Sequence, residues 1–576
     1  MTTLNQSEIK KSNIESAEWY FVGAVIVVVL IITTLPYAVA YLTTPPDKQY
    51  MGLVLNVPDH GQYFSWLYDL TTANLAANKL TPEANPPVFF NLLWWSLGRF
   101  NGLLGLKGYA VAYQLMRFVS IPLFLLLAYR ICAWFLEDKQ MRRVAFAMIT
   151  FSSGFGWFLI ILKYILREAD PPYPLLVFGA EGNTLLCMMG YPHFIAAALY
   201  VFIFDLVLRG QVQEKLSYAV AAGCVALFFG WQHTYDLFLV YGILGSYGLL
   251  TMARDRQLPM YLVKSGVIIG LISFWPGLYS VWLTSSANPI WQEVLAQFGN
   301  VGVYTPNPFY LPALLGVSFL IALFTAIKNN PFRLQGLSNN GLFLKTWFWV
   351  NFALIYIPTD FQIHMLNGWQ IPIAILATQG LFYYVLPWLE SRNWRPRPNF
   401  VLAAVILVVI PTNLYLITWR VLELKRHEYP YFLYKDEVSA LNWLEVNAKP
   451  DDAILSSMTV GQYIPALTGS HAFLAHWAQT VDYFTKKKMV EDFFTPEIPD
   501  TRRQEILKNC NPKYQARLAR EGLEKNNPSW GEQYSCRVQY IFFGPAEREL
   551  GNYQLAKSPL LEHVYTAGQV EIYKVR

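Results

Sequence analysis

Hydrophobic and polar positions along this chain fall into two regimes. From Trp19 to about Trp419, long apolar runs alternate with short polar breaks. A helix needs about 20 mostly apolar residues to cross the hydrocarbon of a bilayer. The runs at about 19–42, 110–136, 144–162, 191–208, 217–232, 235–253, 265–284, 309–327, 346–358, 369–389 and 399–419 predict eleven spans. Segment 86–104 reads either as a span or as a helix half-sunk in the interface, because Asn91, Ser96, Gly98, Arg99 and Asn101 interrupt it. Cations arbitrate, since Lys and Arg collect in cytoplasmic loops. If 86–104 does not cross, one set of loops holds Lys139, Arg142 and Arg143; Arg209 and Lys215; Arg254, Arg256 and Lys264; Lys328, Arg333 and Lys345; and Arg392, Arg395 and Arg397. The opposite loops after the first hold chiefly Lys163 and Arg167. This pattern places the N-terminus inside and the C-terminus outside.

After about Arg420 the apolar runs shorten and charge rises. Residues 436–447 and 478–494 read as helices, and Ala453–Ser456, Val538–Phe543 and Val570–Val575 as strands. The expected organisation is a cytoplasmic tail (1–18, with Lys10 and Lys11), a membrane domain (19–419) with an outer loop at 43–109, and an extracytoplasmic α/β domain (420–576). Cys510 and Cys536 both fall in that last domain, where an oxidising compartment would permit a disulfide.

Composition agrees with a polytopic membrane protein. Apolar residues make up 54% of the 576, and charged residues only 14%, against about 25% in soluble domains. The net charge of +5 is small. It gives orientation in a bilayer rather than affinity for nucleic acid. The first apolar stretch is long enough to remain an anchor and has no small-residue cleavage site. No P-loop, GxGxxG or Cys/His zinc spacing occurs.

The stretch Asp59-His60-Gly61-Gln62-Tyr63-Phe64-Ser65-Trp66 follows the first span, with Asn85-Pro86-Pro87 behind it. Phe64, Leu67, Tyr68, Thr71 and Leu75 recur at helical spacing, which predicts an amphipathic helix on the membrane surface. Asp59 would cap that helix, serve as a general base at the mouth of a cavity, or do both. His60 reads as a solvated loop histidine or a metal ligand.

Ionisable groups near a membrane cost free energy unless solvated or paired, so those gathered on one side mark a polar hollow. Besides Asp59, the candidates for substrate binding are Arg117, Lys163, Glu181, His193, His233, Asp236 and His364. Each also has a plainer reading. Asp236 would cap the helix after the break at 231–236. His193 follows Pro192 at a helix start, and Glu181 is a loop carboxylate. Arg117 would snorkel or hold a phosphate. His476-Trp477 and Asp482 would touch an acceptor, or serve the core and surface of the outer domain. The metal is unknown, with a divalent ion left open.

With Asp59 opening the first outer loop, a helix near 62–79, Pro86-Pro87-Val88-Phe89-Phe90 and a soluble C-terminal domain, the chain resembles the GT-C superfamily of integral-membrane glycosyltransferases. Protein O-mannosyltransferases and lipid A aminoarabinose transferases are of this type. The resemblance implies that a polyprenyl-phosphate sugar enters from the outer leaflet of a cell (inner) membrane. Asp59 deprotonates an acceptor hydroxyl on a glycan, lipid or protein, and the anomeric carbon inverts. Where relatives often pair two acids, this chain has Asp59-His60. The alternatives are a lipid or small-molecule transporter or flippase, against which stands the absence of paired halves, and a non-catalytic sensor or assembly protein.

Overall fold

The computed structural model describes residues 12–106, 108–171, 173–297, 304–511 and 536–576. Lys10 and Lys11 of the expected tail, and Pro172 between the expected spans at 144–162 and 191–208, lie outside them. The chain divides into two compact units. One comprises Met1–Pro36, Leu115–Tyr279 and Val303–Leu422, the other Tyr37–Gln114, Ser280–Gly302 and Glu423–Arg576.

The first unit is helical. Among the described residues of the chain, seven helices are long and apolar enough to cross a membrane, and nine if two bent pairs count as spans. Each of the eleven stretches expected from the sequence coincides with a helix, a helix pair or a bent pair. Ser217–Gln232 and Asn339–Leu354 are each only 16 residues long. At 1.5 Å per residue that is about 24 Å, short of a bilayer core of about 30 Å. The bends fall at prolines: 43° between Met260–Ser273 and Trp275–Leu283, and 56° between Pro398–Val409 and Pro411–Leu424.

Two groups of charges inside this unit are paired. Glu18 is buried and accepts from Arg142 at 2.7 Å and from the Tyr129 hydroxyl. Asp205 gathers Arg130 and Arg209, each at 2.7 Å, and the Trp134 indole at 2.9 Å. Breaking such pairs would leave bare charges in a low-dielectric interior. Arg142, read from sequence as a loop cation, is therefore a buried partner of the first span. Arg254 is likewise buried, donating to the Leu337 carbonyl at 2.9 Å.

The second unit joins the first long loop to the C-terminal segment. Four of its helical stretches concern the site: α1 (Ser16–Thr43), whose last turns enter this unit, α2 (Val57–Thr72), α3 (Leu92–Leu104) and α4 (Ala110–Cys132), whose first turn lies here. With 13 residues, α3 reaches about 20 Å, too short to cross. It lies on α2 instead, so tightly that a Cβ at Gly98 would come within 2.9 Å of the Leu70 carbonyl carbon.

Strand β1 (Lys48–Tyr50) pairs antiparallel with β2 (Phe432–Tyr434). The C-terminal sheet has the order β4-β3-β5-β7-β6, from β3 (Ala453–Leu455), β4 (His471–Ala472), β5 (Val538–Phe543), β6 (Leu561–Ala567) and β7 (Val570–Val575). Strand β3 runs parallel to β4 and β5, and β7 antiparallel to β5 and β6. Helix Tyr483–Phe494 and the Cys510–Cys536 disulfide, with Cα atoms 5.6 Å apart, cover one face of it.

Helix α2 ends at Thr72, earlier than its periodicity suggests, and residues 76–83 continue as a buried connection. The C-terminal segment holds this connection along its length. Ala472 donates its N–H to the Lys79 carbonyl at 2.9 Å, and Thr480 its hydroxyl to the Leu80 carbonyl at 2.6 Å. His471 Nδ1–H donates to the Thr81 carbonyl at 2.8 Å. Glu83 pairs with Lys486 at 2.5 Å and accepts from Asn511 Nδ2 at 3.0 Å, and Thr81 donates its hydroxyl to the other carboxylate oxygen. Backbone groups of a buried loop need partners, and a sheet-bearing domain supplies them here.

Candidate active site

Asn56, not Asp59, stands at the N-cap of α2. Pro58 suits the first turn of a helix, and Asn tolerates the left-handed backbone found at residue 56, φ 34°. Asp59 therefore sits inside the first turn, where the helix dipole favours an anion. Nor does α2 float as an amphipathic surface helix, since Val57, His60, Gly61, Phe64, Trp66, Leu67 and Leu70 are all buried.

The Asp59 carboxylate is 23% exposed. His476 Nε2–H donates to its Oδ1 at 2.9 Å, the Asn56 side-chain amide donates to its Oδ2, and the Trp477 indole adds a further hydrogen bond. Burial pushes this carboxyl up. Interactions led by the His476 hydrogen bond, and including the Trp477 bond, outweigh that and hold it below the usual carboxylate range. Asp59 is thus an ionised acceptor, partly open to solvent and fixed in one orientation.

His60 is fully buried rather than solvated. Its Nδ1–H donates to the Asn56 carbonyl at 2.8 Å, and its Nε2 lies 3.2 Å from the Tyr113 hydroxyl. Tyr63, Phe64 and Tyr113 surround the ring. It braces the N-terminal turn that carries Asp59.

The turn bearing His476 breaks the helix expected over 478–494, which begins only at Tyr483. Side chains take the amides that a helix would use. The Thr480 hydroxyl oxygen accepts from the Ala475 and His476 N–H groups, both at 3.1 Å. His476 Nδ1 accepts from the Ala478 N–H at 2.9 Å and the Gln479 N–H at 3.2 Å.

In the first unit the structure gathers five of the other candidates. Glu181 Oε1 is 3.1 Å from His364 Nδ1, and Asp236 Oδ2 is 3.3 Å from His233 Nδ1. The His233 and His364 rings are 5.8 Å apart, and Phe194 meets both. His193 packs on Phe194 at 4.4 Å, and Tyr235 stacks on His364 at 5.4 Å. Asp236 occupies the first helical turn of Asp236–Asp255 rather than its cap, with both carboxylate oxygens buried and not hydrogen-bonded. These carboxylates and imidazoles, set against aromatic rings, form a polar cluster.

The remaining two candidates stand elsewhere. Arg117 is fully buried in α4 and donates to the Thr33 carbonyl and the Thr34 hydroxyl of α1, both at 2.7 Å. Lys163 lies over the Tyr164 ring in the last turn of Gly156–Leu166. Among the described residues no group of three or more His, Cys, Asp or Glu side chains is arranged to hold a metal ion.

No family model and no curated protein matches the chain. Solved structures do. The oligosaccharyltransferase AglB of Archaeoglobus fulgidus, in complex with an inhibitory peptide and a dolichol-phosphate, aligns with a TM-score of 0.51 at 12% identity, over 92% of this chain and 70% of its own. The same oligosaccharyltransferase in complex with zinc and sulfate gives 0.52 at 12%, over 90% and 67%. ArnT of Cupriavidus metallidurans in the apo state gives 0.51 at 13%, over 97% and 98%, and ArnT bound to undecaprenyl phosphate gives 0.50. At such identities the likeness is one of fold, and the chain is a polytopic membrane protein with the fold of the GT-C integral-membrane glycosyltransferases.

Proposed function

We propose that this protein transfers a sugar from a polyprenyl-phosphate carrier to an acceptor hydroxyl on the extracytoplasmic face of the membrane. The observation that carries this reading is Asp59 itself. A partly exposed carboxylate, held ionised by three donors, heads a helix in a fold whose solved examples bind dolichol-phosphate and undecaprenyl phosphate.

The chemistry follows from the charge on that group. The acceptor oxygen attacks the anomeric carbon as the carbon–phosphate-oxygen bond breaks, inverting the centre and releasing the lipid phosphate. The donors that keep Asp59 charged also weaken it as a base. The proton therefore moves late, once the attacking oxygen has begun to bond to carbon and its hydrogen has become acidic. We assign the cluster of Glu181, His193, His233, Asp236 and His364 to the polar part of the substrate. Lys163 and His233 are the proposed partners of the departing phosphate, and Arg117 is proposed to brace α4 against α1. In the proposed orientation the N-terminus is in the cytoplasm and residues 420–576 are outside, with the donor and a glycan, lipid or protein acceptor meeting there.

The test is Asp59→Asn in reconstituted membranes with a polyprenyl-phosphate sugar. Transfer should fall by about 10²–10⁴-fold, the usual worth of a positioned base, while insertion and helicity are retained. Full activity in Asp59→Asn would refute the assignment.

A further inference from the structure

The His476 ring has no nitrogen left for proton transfer. Its Nδ1 accepts two backbone N–H groups, from Ala478 and Gln479. A ring nitrogen that accepts cannot carry the hydrogen of the neutral imidazole. The hydrogen is therefore on Nε2, the atom that lies 2.9 Å from Asp59 Oδ1. A histidine shuttling protons needs one nitrogen facing the reactant. This one is 2% exposed, with both nitrogens engaged.

We infer that His476 is a positioning residue: a donor of fixed tautomer, built by the 475–480 turn, that holds the Asp59 carboxylate in one orientation. The turn is itself anchored, because Thr480 accepts from the Ala475 and His476 amides and donates to the Leu80 carbonyl of the buried connection. The orientation of Asp59 thus depends on a segment 417 residues away. The titratable groups acting on Asp59 are His476 from that turn and His60 from its own helix, with Asn56 and Trp477 as neutral donors. His60 gives its Nδ1–H to the Asn56 carbonyl, which leaves His476 as the histidine that hydrogen-bonds Asp59 directly.

This inference rests on the reading of Asp59 as the base, and its test separates the two. His476→Asn keeps an acceptor where Nδ1 stood, so the turn stays capped, but its side chain is too short to reach Asp59. His476→Gln does the reverse, placing an amide N–H near the former Nε2. The Asp59 carboxyl is titrated by ¹³C NMR of the full chain in nanodiscs, with Asp59→Asn assigning the signal. His476→Asn should raise its proton affinity about tenfold or more, the worth of one hydrogen bond to a charged group, and His476→Gln should recover at least half of that on a logarithmic scale. An unchanged midpoint in His476→Asn, or equal shifts in both variants, overturns the inference. If transfer occurs, its acidic limb should move by the same factor as the midpoint. A limb that stays in place while the midpoint moves refutes Asp59 as the base and leaves His476 as its charge-holder only.

Discussion

The buried pair Glu83–Lys486 offers a quantitative test of how the C-terminal segment holds the connection after α2. Both side chains are at most 1% exposed and 2.5 Å apart, and the ammonium also donates to the Val481 carbonyl. Lys486→Met fills the space but leaves the Glu83 carboxylate with only Thr81 and Asn511. Removing one member of a buried ion pair costs about 3–5 kcal/mol. A second bound comes from the carboxyl, which can escape by taking up a proton. From an ordinary Glu value near 4.3, that costs about 3.7 kcal/mol at pH 7 and about 1 kcal/mol at pH 5. The smaller figure governs, so the connection should open about 10²–10³-fold more often at pH 7 and only a few-fold more at pH 5. The sign is fixed, because a carboxylate stranded without its cation is relieved as pH falls. Hydrogen exchange by mass spectrometry on peptides covering 76–83 and 471–481, corrected for intrinsic rates, reads this directly. Glu83→Gln in the Lys486→Met background should restore most of the protection at pH 7. Exchange within threefold of the parent at pH 7, or loss that grows towards pH 5, would show that the pair does not hold this connection.

Two further outcomes are expected. Gly61→Ala would place a Cβ 2.4 Å from the Gln462 carbonyl oxygen. The backbone must shift at about 1–3 kcal/mol, so transfer should fall more than helicity, as read by activity and circular dichroism on one sample. Glu437 is buried, and burial pushes its carboxyl up to about 7 from 4.5, against the Tyr434 N–H and Tyr429 hydroxyl hydrogen bonds. Its folded value is raised, so its contribution is whole below about pH 4.5 and fades as pH rises through about 7. Glu437→Gln should flatten that loss by about 2–3 kcal/mol, measured by thermal unfolding at pH 5 and pH 8.

The apolar runs were legible because a bilayer imposes a length on every crossing, and that length survives in the sequence. Asp59 was legible as a polar group opening an apolar-periodic helix. Its cap was misplaced because Pro58 lets the helix begin earlier, at Asn56, than the periodicity of its apolar face. His60 read as solvated because its neighbours in sequence are polar, whereas its neighbours in space are Tyr63, Phe64 and Tyr113. Arg142 counted as a loop cation because Glu18 stands 124 residues away. His476 carried no signal pointing to Asp59. The turn at 475–480 was read in part as helix because its capping bonds, from the Thr480 and His476 side chains, show only in space. Local pattern gives elements, while pairing between distant elements must come from the fold.

The reach of that pairing sets a timetable for biogenesis. Asp59 leaves the ribosome 417 residues before His476, and at about 5–20 residues per second that is roughly 20–80 s. For that interval the first loop is a nascent strand without its scaffold, its acid unrestrained. A chain truncated between Leu424 and the 475–480 turn would still carry its greasy helices, yet its carboxylate would lack the His476 donor.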